Sequence, residues 1–198
     1  MIKSLYPLFY KWCENGSIYI ISDTHFNDSD CKYMDPNWIT PEEHMNIIKK
    51  IVHKSDTLIH LGDVGDANYL DELRCYKVLL TGNHDIKSKV ASHFNEVFDG
   101  PIYIADRILL SHEPIYGVED FCINIHGHVH GATYEEYGHI NLASDVTKFT
   151  LFNLGAEINR GLLSKTPNYH RITIDHATKN PIPKTDFKDE MAEALKLI

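Results

Sequence analysis

The chain has 198 residues, of which 43% are hydrophobic and 24% charged, and its formal net charge is −9. That length can bury a sizeable core as one domain without disulfide staples. The acidic balance excludes broad electrostatic binding to DNA, RNA or an anionic membrane, which depends on Lys and Arg, and no apolar run approaches the roughly 18 residues of a membrane span.

Met1 to Tyr10 carries one Lys and an apolar stretch interrupted by Pro7, with no small-residue cleavage site after it, so no secretory signal is read. Cys13, Cys31, Cys75 and Cys122 are scattered and form no C-x-x-C pair. Buried thiols in a reducing cytoplasm are expected, not a zinc ribbon or a disulfide framework.

Ser17 to Ser22 is β-branched and aromatic, which predicts a buried strand ending at Asp23-Thr24-His25. Residues 26–40 form a polar loop holding Tyr33, Met34 and Trp38. A helix start follows, with Thr40 as N-cap, Pro41 at the first position and Glu43 completing a capping box. Ile47, Ile48, Ile51 and Val52 continue at helical spacing, so this helix is expected to run to about Lys54. Thr57 to Leu61 is the second strand and ends at Gly62-Asp63, and a short helix is expected over Tyr69 to Cys75. Lys77 to Leu80 is the third strand and leads into Gly82-Asn83-His84-Asp85.

Pro101 to Ile104 and Arg107 to Leu110 read as a hairpin turning at Ala105-Asp106, whose second strand delivers Ser111-His112-Glu113-Pro114. Phe121 to Ile125 is a further strand and leads to Gly127-His128-Val129-His130. Beyond it, Phe149 to Leu154 and His170 to Ile174 read as strands, and Asp189 to Leu197 as a short amphipathic helix. The strand–helix–strand alternation predicts βαβ units and an α/β fold. No repeat or linker interrupts the chain, so residues 1–198 are read as one domain with a core of about 17–176 and a tail over 177–198.

Singly, each polar motif reads as a turn, because Gly tolerates positive φ and Asn or Asp bonds its own backbone. Together they place metal-binding side chains directly after apolar strands, on the edge where parallel α/β sheets hold their ligands. Two carboxylates, four imidazoles and an amide make a mixed nitrogen and oxygen donor set. Mn, Fe, Zn, Co or Ni suits it better than Ca or Mg. No motif offers a thiolate, which argues against a structural zinc site.

With these motifs in this order, from Ile18 to about Glu157, the chain resembles the calcineurin-like metallophosphoesterases, in particular the small single-domain bacterial and phage members that open on Ile-Ser-Asp-Thr-His-Phe. The resemblance implies an α/β sandwich of two mixed sheets flanked by helices, with its site at the C-terminal ends of strands. It implies two divalent transition-metal ions, Mn foremost. Asp23, His25 and His130 resemble the ligands of the first, Asn83, His112 and His128 those of the second, and Asp63 the carboxylate that bridges them. His84 resembles the family's catalytic histidine, which binds no metal and faces the scissile phosphate. Asp85 stands where many relatives carry Glu.

The activity so implied is hydrolysis of a phosphomonoester or phosphodiester by a hydroxide bridging two metals, on a small molecule or nucleotide and not on long nucleic acid. Two divalent ions against Asp23, Asp63 and a hydroxide leave the site net positive inside an acidic protein. The alternative is a catalytically silent scaffold of the same fold, but such proteins tend to lack the histidine that His84 supplies here.

Further residues admit two readings. Asp85 or Asp56 could orient His84, although Asp56 reads better as a turn residue opening the second strand. His60 and His126, on strands beside the ligands, either support them or are packed core histidines. Asn153 either touches the site or takes a positive-φ turn. Tyr33 and Trp38 either stack on a base or pin their loop, the latter being preferred. The remaining histidines, His44, His53, His93, His139, His170 and His176, are assigned to surface or core, and Glu135-Glu136-Tyr137 to a solvated surface.

Overall fold

A computed structural model describes residues 16–104, 107–118, 122–131 and 138–162, and the backbone of residues 3–4. All lie in one compact unit, Met1–Thr166. The strands, in chain order, are β1 (Lys3–Ser4), β2 (Ile18–Ile21), β3 (Thr57–His60), β4 (Tyr76–Leu80), β5 (Glu96–Phe98), β6 (Ile102–Ile104), β7 (Ile108–Leu110), β8 (Ile123–His126), β9 (His139–Asn141) and β10 (Phe152–Asn153). The helices are α1 (Cys31–Met34), α2 (Pro41–Ile51), α3 (Lys87–Val90) and α4 (Leu154–Asn159).

Two five-stranded mixed sheets result, in the orders β10-β2-β3-β4-β5 and β1-β6-β7-β8-β9. In the first, β2 through β5 are parallel and β10 is antiparallel to β2. In the second, β6 and β7 form the expected antiparallel pair, and β8 and β9 continue parallel to β7. This is the α/β sandwich that the family resemblance implies.

Strand alternation explains why the first sheet's strands read as unbroken apolar runs. Ile18 and Ile20, Ile59 and Leu61, and Val78 and Leu80 face the other sheet and meet Ile102, Ile104, Ile108, Leu110, Ile123 and Ile125 there. The intervening Ile21, Leu58 and Leu79 pack outward under Met45 and Ile48 of α2. Each such buried side chain contributes about 1.5–3 kcal/mol. Helix α2 begins with the predicted box: Thr40 Oγ1 accepts from Glu43 N at 3.2 Å, and Glu43 Oε2 accepts from Thr40 N at 2.9 Å.

Several boundaries differ from the sequence reading. Helix α2 ends at Ile51, with Val52 as its C-cap. The short helix after β3 is a 3₁₀ turn, Ala67–Glu72, started earlier because the Asp66 carboxylate caps Asn68 N. The strand expected over Phe149 to Leu154 shrinks to two residues. Phe149 sits at φ 60°, and Asn153 caps α4 by accepting from Ala156 N at 2.9 Å. Asn153 is therefore a helix cap at φ −88°, neither a site residue nor a positive-φ turn. The loop after His25 contains α1, and β1, β5, β9 and α3 were not anticipated. Residues 105–106, 135–137, 170–176 and 189–197 lie outside the described residues.

No helix among the described residues is long and apolar enough to cross a membrane. Cys31 and Cys75 are buried, and burial pushes their thiols up to about 12 and about 11.

Candidate metal centre

The five motifs gather at one rim of the sandwich. Asp23 and His25 follow β2, Asp63 follows β3 and Asn83 follows β4, all in the first sheet; His112 follows β7, and His128 and His130 follow β8, in the second. Parallel pairing continues beyond the strand ends, through Asp23 N to Gly62 O, His25 N to Asp63 O and Phe26 N to Val64 O at 2.9–3.0 Å. The sheets meet at the same place, where Ser22 bridges Ala143 and the Asp23 carboxylate accepts from His128 N at 3.0 Å.

The local backbone is unusual. Among the described residues, eight non-glycine residues have positive φ, and five of them are Asp23, His25, Asp63, His128 and His130. That conformation costs on the order of 1 kcal/mol or more per residue, and it clusters on candidate ligands. Glycines make room beside them. Gly62 has φ 108°, and a Cβ there would strike the backbone of Gly82 and the His112 ring. A Cβ on Gly127 would run into the Asp23 carboxylate and Ser22 Oγ.

Two donor groups form side by side. One ligand atom from each of Asp23, His25 and His130 lies within 4.8 Å of the others, and the same holds for Asp63, His112 and His128. Asn83 joins the second group, its Oδ1 2.9 Å from His112 Nε2 and 3.0 Å from His128 Nδ1. Asp63 stands between the groups, with Oδ2 3.2 Å from His112 Nε2 and 3.8 Å from His25 Nε2.

Hydrogen bonds to Nδ1 orient three of the rings so that Nε2 faces inward, where a cation can replace its proton. His112 Nδ1 donates to Leu61 O at 3.0 Å, which directs Nε2 toward Asn83 and Asp63. His130 Nδ1 donates to Asp145 Oδ1 at 3.0 Å and turns Nε2 toward Asp23 Oδ1, 3.7 Å away. His25 Nδ1 donates to Asp28 Oδ2 at 3.2 Å. Its Nε2 is buried with no hydrogen-bond partner, a state that costs about 1–3 kcal/mol in a protein interior. Convergent lone pairs on nitrogen and oxygen, with one buried nitrogen orphaned, fit a divalent transition-metal ion in each group.

In the absence of cations, protons answer the same field. Burial pushes the Asp23 carboxyl above its ordinary value. Burial opposes charge on His112 and His130 too, but hydrogen bonds to Asp63 and Asp145 and the field of Asp23 raise both imidazoles. Burial also works against the Asp63 carboxylate, yet its hydrogen bonds from His112 and His84 N lower it to about 2.

His84 and Asn83 are exposed on the open side, and the His84 ring lies 5.8 Å from the His25 ring. The suggestion that Asp85 or Asp56 orients the His84 ring is corrected. Asp85 accepts from the backbone N–H groups of Gly82, Asp63 and Val64, each at 2.9 Å, and so ties two ligand loops together. Asp56 accepts from Ser17 N and His53 N and closes a turn at the opposite strand ends. Tyr33 and Trp38 part company. Trp38 is buried against the His25, His130 and Phe149 rings at 5.9, 6.0 and 5.4 Å and pins the loop, whereas Tyr33 is 89% exposed.

Asp145 and Asp28, which hold ligand imidazoles from behind, were missed by the sequence reading. Asp28 lies three residues after His25 in a stretch that reads as polar loop, and Asp145 follows β9, a strand the sequence did not reveal. His25, Asp28 and Cys31 also converge. There the Cys31 thiol, pushed up to about 12, donates to His25 O at 3.5 Å and serves packing.

The chain is 31% identical over 142 residues to an uncharacterized protein of Methanocaldococcus jannaschii, a match covering 63% of this chain and 75% of the other. A crystal structure of a protein of unknown function from Aquifex aeolicus superposes with a TM-score of 0.61 at 26% identity, covering 74% of this chain and 99% of that one. The family model for calcineurin-like phosphoesterases matches residues 16–196. With that match across nearly the whole chain, on a two-sheet sandwich whose rim gathers two candidate metal-ligand groups, the protein belongs to the calcineurin-like phosphoesterase family.

Proposed function

We propose that this protein hydrolyses phosphoester bonds of small molecules or nucleotides with two divalent transition-metal ions, Mn foremost. The observation that carries the reading is Asp63, which stands within 4 Å of a donor nitrogen in each of two adjacent groups. Asp23, His25 and His130 with Asp63 would hold one ion. Asn83, His112 and His128 with Asp63 would hold the other.

The ions, when bound, supply Lewis acidity that neutralises a phosphoryl group and acidifies water. The chain's own residues set the conditions. Four imidazoles and an amide add no negative charge to the two carboxylates, so the charge of two bound ions would be only partly cancelled, and an acidic protein could still draw in a phosphate. Asp63 Oδ1 accepts from His84 N at 2.9 Å, which keeps Oδ2 turned between the donor groups. The exposed His84 imidazole would then steady charge on the phosphoryl oxygens or pass a proton from a ring nitrogen to the leaving oxygen. Within the cytoplasm, the net charge of −9 favours compact substrates over long nucleic acids.

The test is turnover of p-nitrophenyl phosphate and bis(p-nitrophenyl) phosphate by Mn²⁺-loaded protein. Faster release from the diester assigns a phosphodiesterase, and the reverse a phosphatase. Metal-loaded protein inert on both, and on a nucleotide panel, overturns the reading in favour of the scaffold.

A further inference from the structure

His60 ends β3, is 0% exposed, and has both ring nitrogens engaged. Gly62 N–H donates to Nδ1 at 3.1 Å, so Nδ1 carries a lone pair. The hydrogen of the neutral ring then sits on Nε2, which lies 2.9 Å from Thr24 Oγ1 and donates to it. The direction is fixed at the far end as well, because the Thr24 hydroxyl donates to Val64 O at 2.9 Å. One unbranched relay therefore runs from Gly62 N–H through His60 and Thr24 to Val64 O. Its ends flank Asp63, and Thr24 sits between Asp23 and His25.

We propose that His60 is a positioning residue: a neutral imidazole strut that sets the spacing between the loop carrying Asp23 and His25 and the loop carrying Asp63, and through it the affinity for the metal pair. The proposal rests on the metal-dependent reading above. Imidazole suits the task because it offers one acceptor and one donor on opposite sides of a rigid ring. The backbone ladder joins the same loops through the Asp23, His25 and Phe26 N–H groups, and Asp85 takes the N–H groups of Asp63 and Val64. Gly62 N–H is served by His60. A leucine would fill the volume but strand that N–H in a dry site, where a relay losing one member weakens the rest.

The experiment compares His60→Leu, His60→Asn and Thr24→Val with the wild type and the double variant His60→Leu/Thr24→Val. Mn²⁺ affinity and stoichiometry come from calorimetry, and the His60 tautomer from ¹⁵N NMR of the metal-free protein. Expected are a protonated Nε2 and a bare Nδ1 in the wild type. Each single variant should weaken Mn²⁺ binding about 10- to 100-fold, and the double variant should be no worse than the poorer single, as for residues in one relay. His60→Asn, which keeps an acceptor near Nδ1, should recover part of the loss.

A folded His60→Leu with wild-type affinity for two ions, or a protonated Nδ1, overturns the proposal. Should His60→Leu fail to fold, Thr24→Val against Thr24→Ser decides: the strut requires loss in the first and retention in the second. If the wild type itself binds no metal, the functional reading falls. The strut is then judged by amide exchange at Gly62 in metal-free Thr24→Val, which must quicken for it to stand and refutes it if unchanged.

Discussion

His130 Nδ1 and Asp145 Oδ1 are 3.0 Å apart, and the carboxylate is buried behind the ring. This contact presents Nε2 to Asp23 and makes the ring a better donor. Asp145→Ala should weaken binding of one metal ion about 10- to 100-fold, leaving the fold intact. Asp145→Asn, which still accepts from Nδ1, should lose less. Competition against a chromophoric chelator measures both, and equal affinities for the two variants and the wild type would contradict the role.

His84 stands apart from the seven candidate ligands. His84→Ala should keep two ions per chain while turnover falls on the order of 100-fold or more, as for loss of a general acid. Elemental analysis alongside steady-state rates checks this. Full activity in a metal-loaded variant removes His84 from the chemistry.

Asp63 faces both donor groups, so its loss should be felt at both. Asp63→Ala should bring metal content from two ions per chain to one or none, with activity falling below that of His84→Ala. An intact pair by elemental analysis would show that the carboxylate does not bridge.

Acid should unfold the metal-free protein through its buried histidines. Burial lowers His44 and His126 to about 4 and His60 to about 3, from 6.5 in the unfolded chain. The unfolded state therefore binds more protons below pH 6.5. Their contribution is fully present above that value and is lost as the pH falls toward 4 and below. At about 1.4 kcal/mol per pKa unit, the three together approach the roughly 5–15 kcal/mol of a whole domain. Asp63, lowered from 3.8 to about 2, adds a loss below pH 4. The raised His112 and His130 run the other way: their contribution is full below pH 6.5 and disappears as the pH rises through their folded values. Urea midpoints at pH 7, 5.5 and 4.5 should fall steeply, and a flat series would refute the neutral buried state.

The strands that carry Asp23, Asp63, Asn83, His112 and His128 were legible because each is a buried run that ends abruptly in Gly, Asp or His. Strands β5 and β9 were not, since three half-buried residues give no periodicity to read. Phe149 to Leu154 is apolar and aromatic enough to read as a strand, but the Asn153 cap redirects the chain after two paired residues. Within the site, the ligand candidates showed as motifs, whereas their supports did not. Asp145 meets His130 across 15 residues, and His60 meets Thr24 across 36, contacts that only folding creates. His60 looked equally like core packing, and its two hydrogen bonds separate those readings.

Each candidate metal group draws donors from both sheets: Asp23 and His25 from one with His130 from the other, Asp63 and Asn83 from one with His112 and His128 from the other. A cation in either group would act as a rivet across the seam of the sandwich, at the rim where the apolar interior gives way to polar loops. Cations that bind only the folded chain stabilise it by mass action. Heat resistance and catalysis would then rise and fall together with the free metal concentration, and a starved protein would loosen along the edge where its chemistry sits.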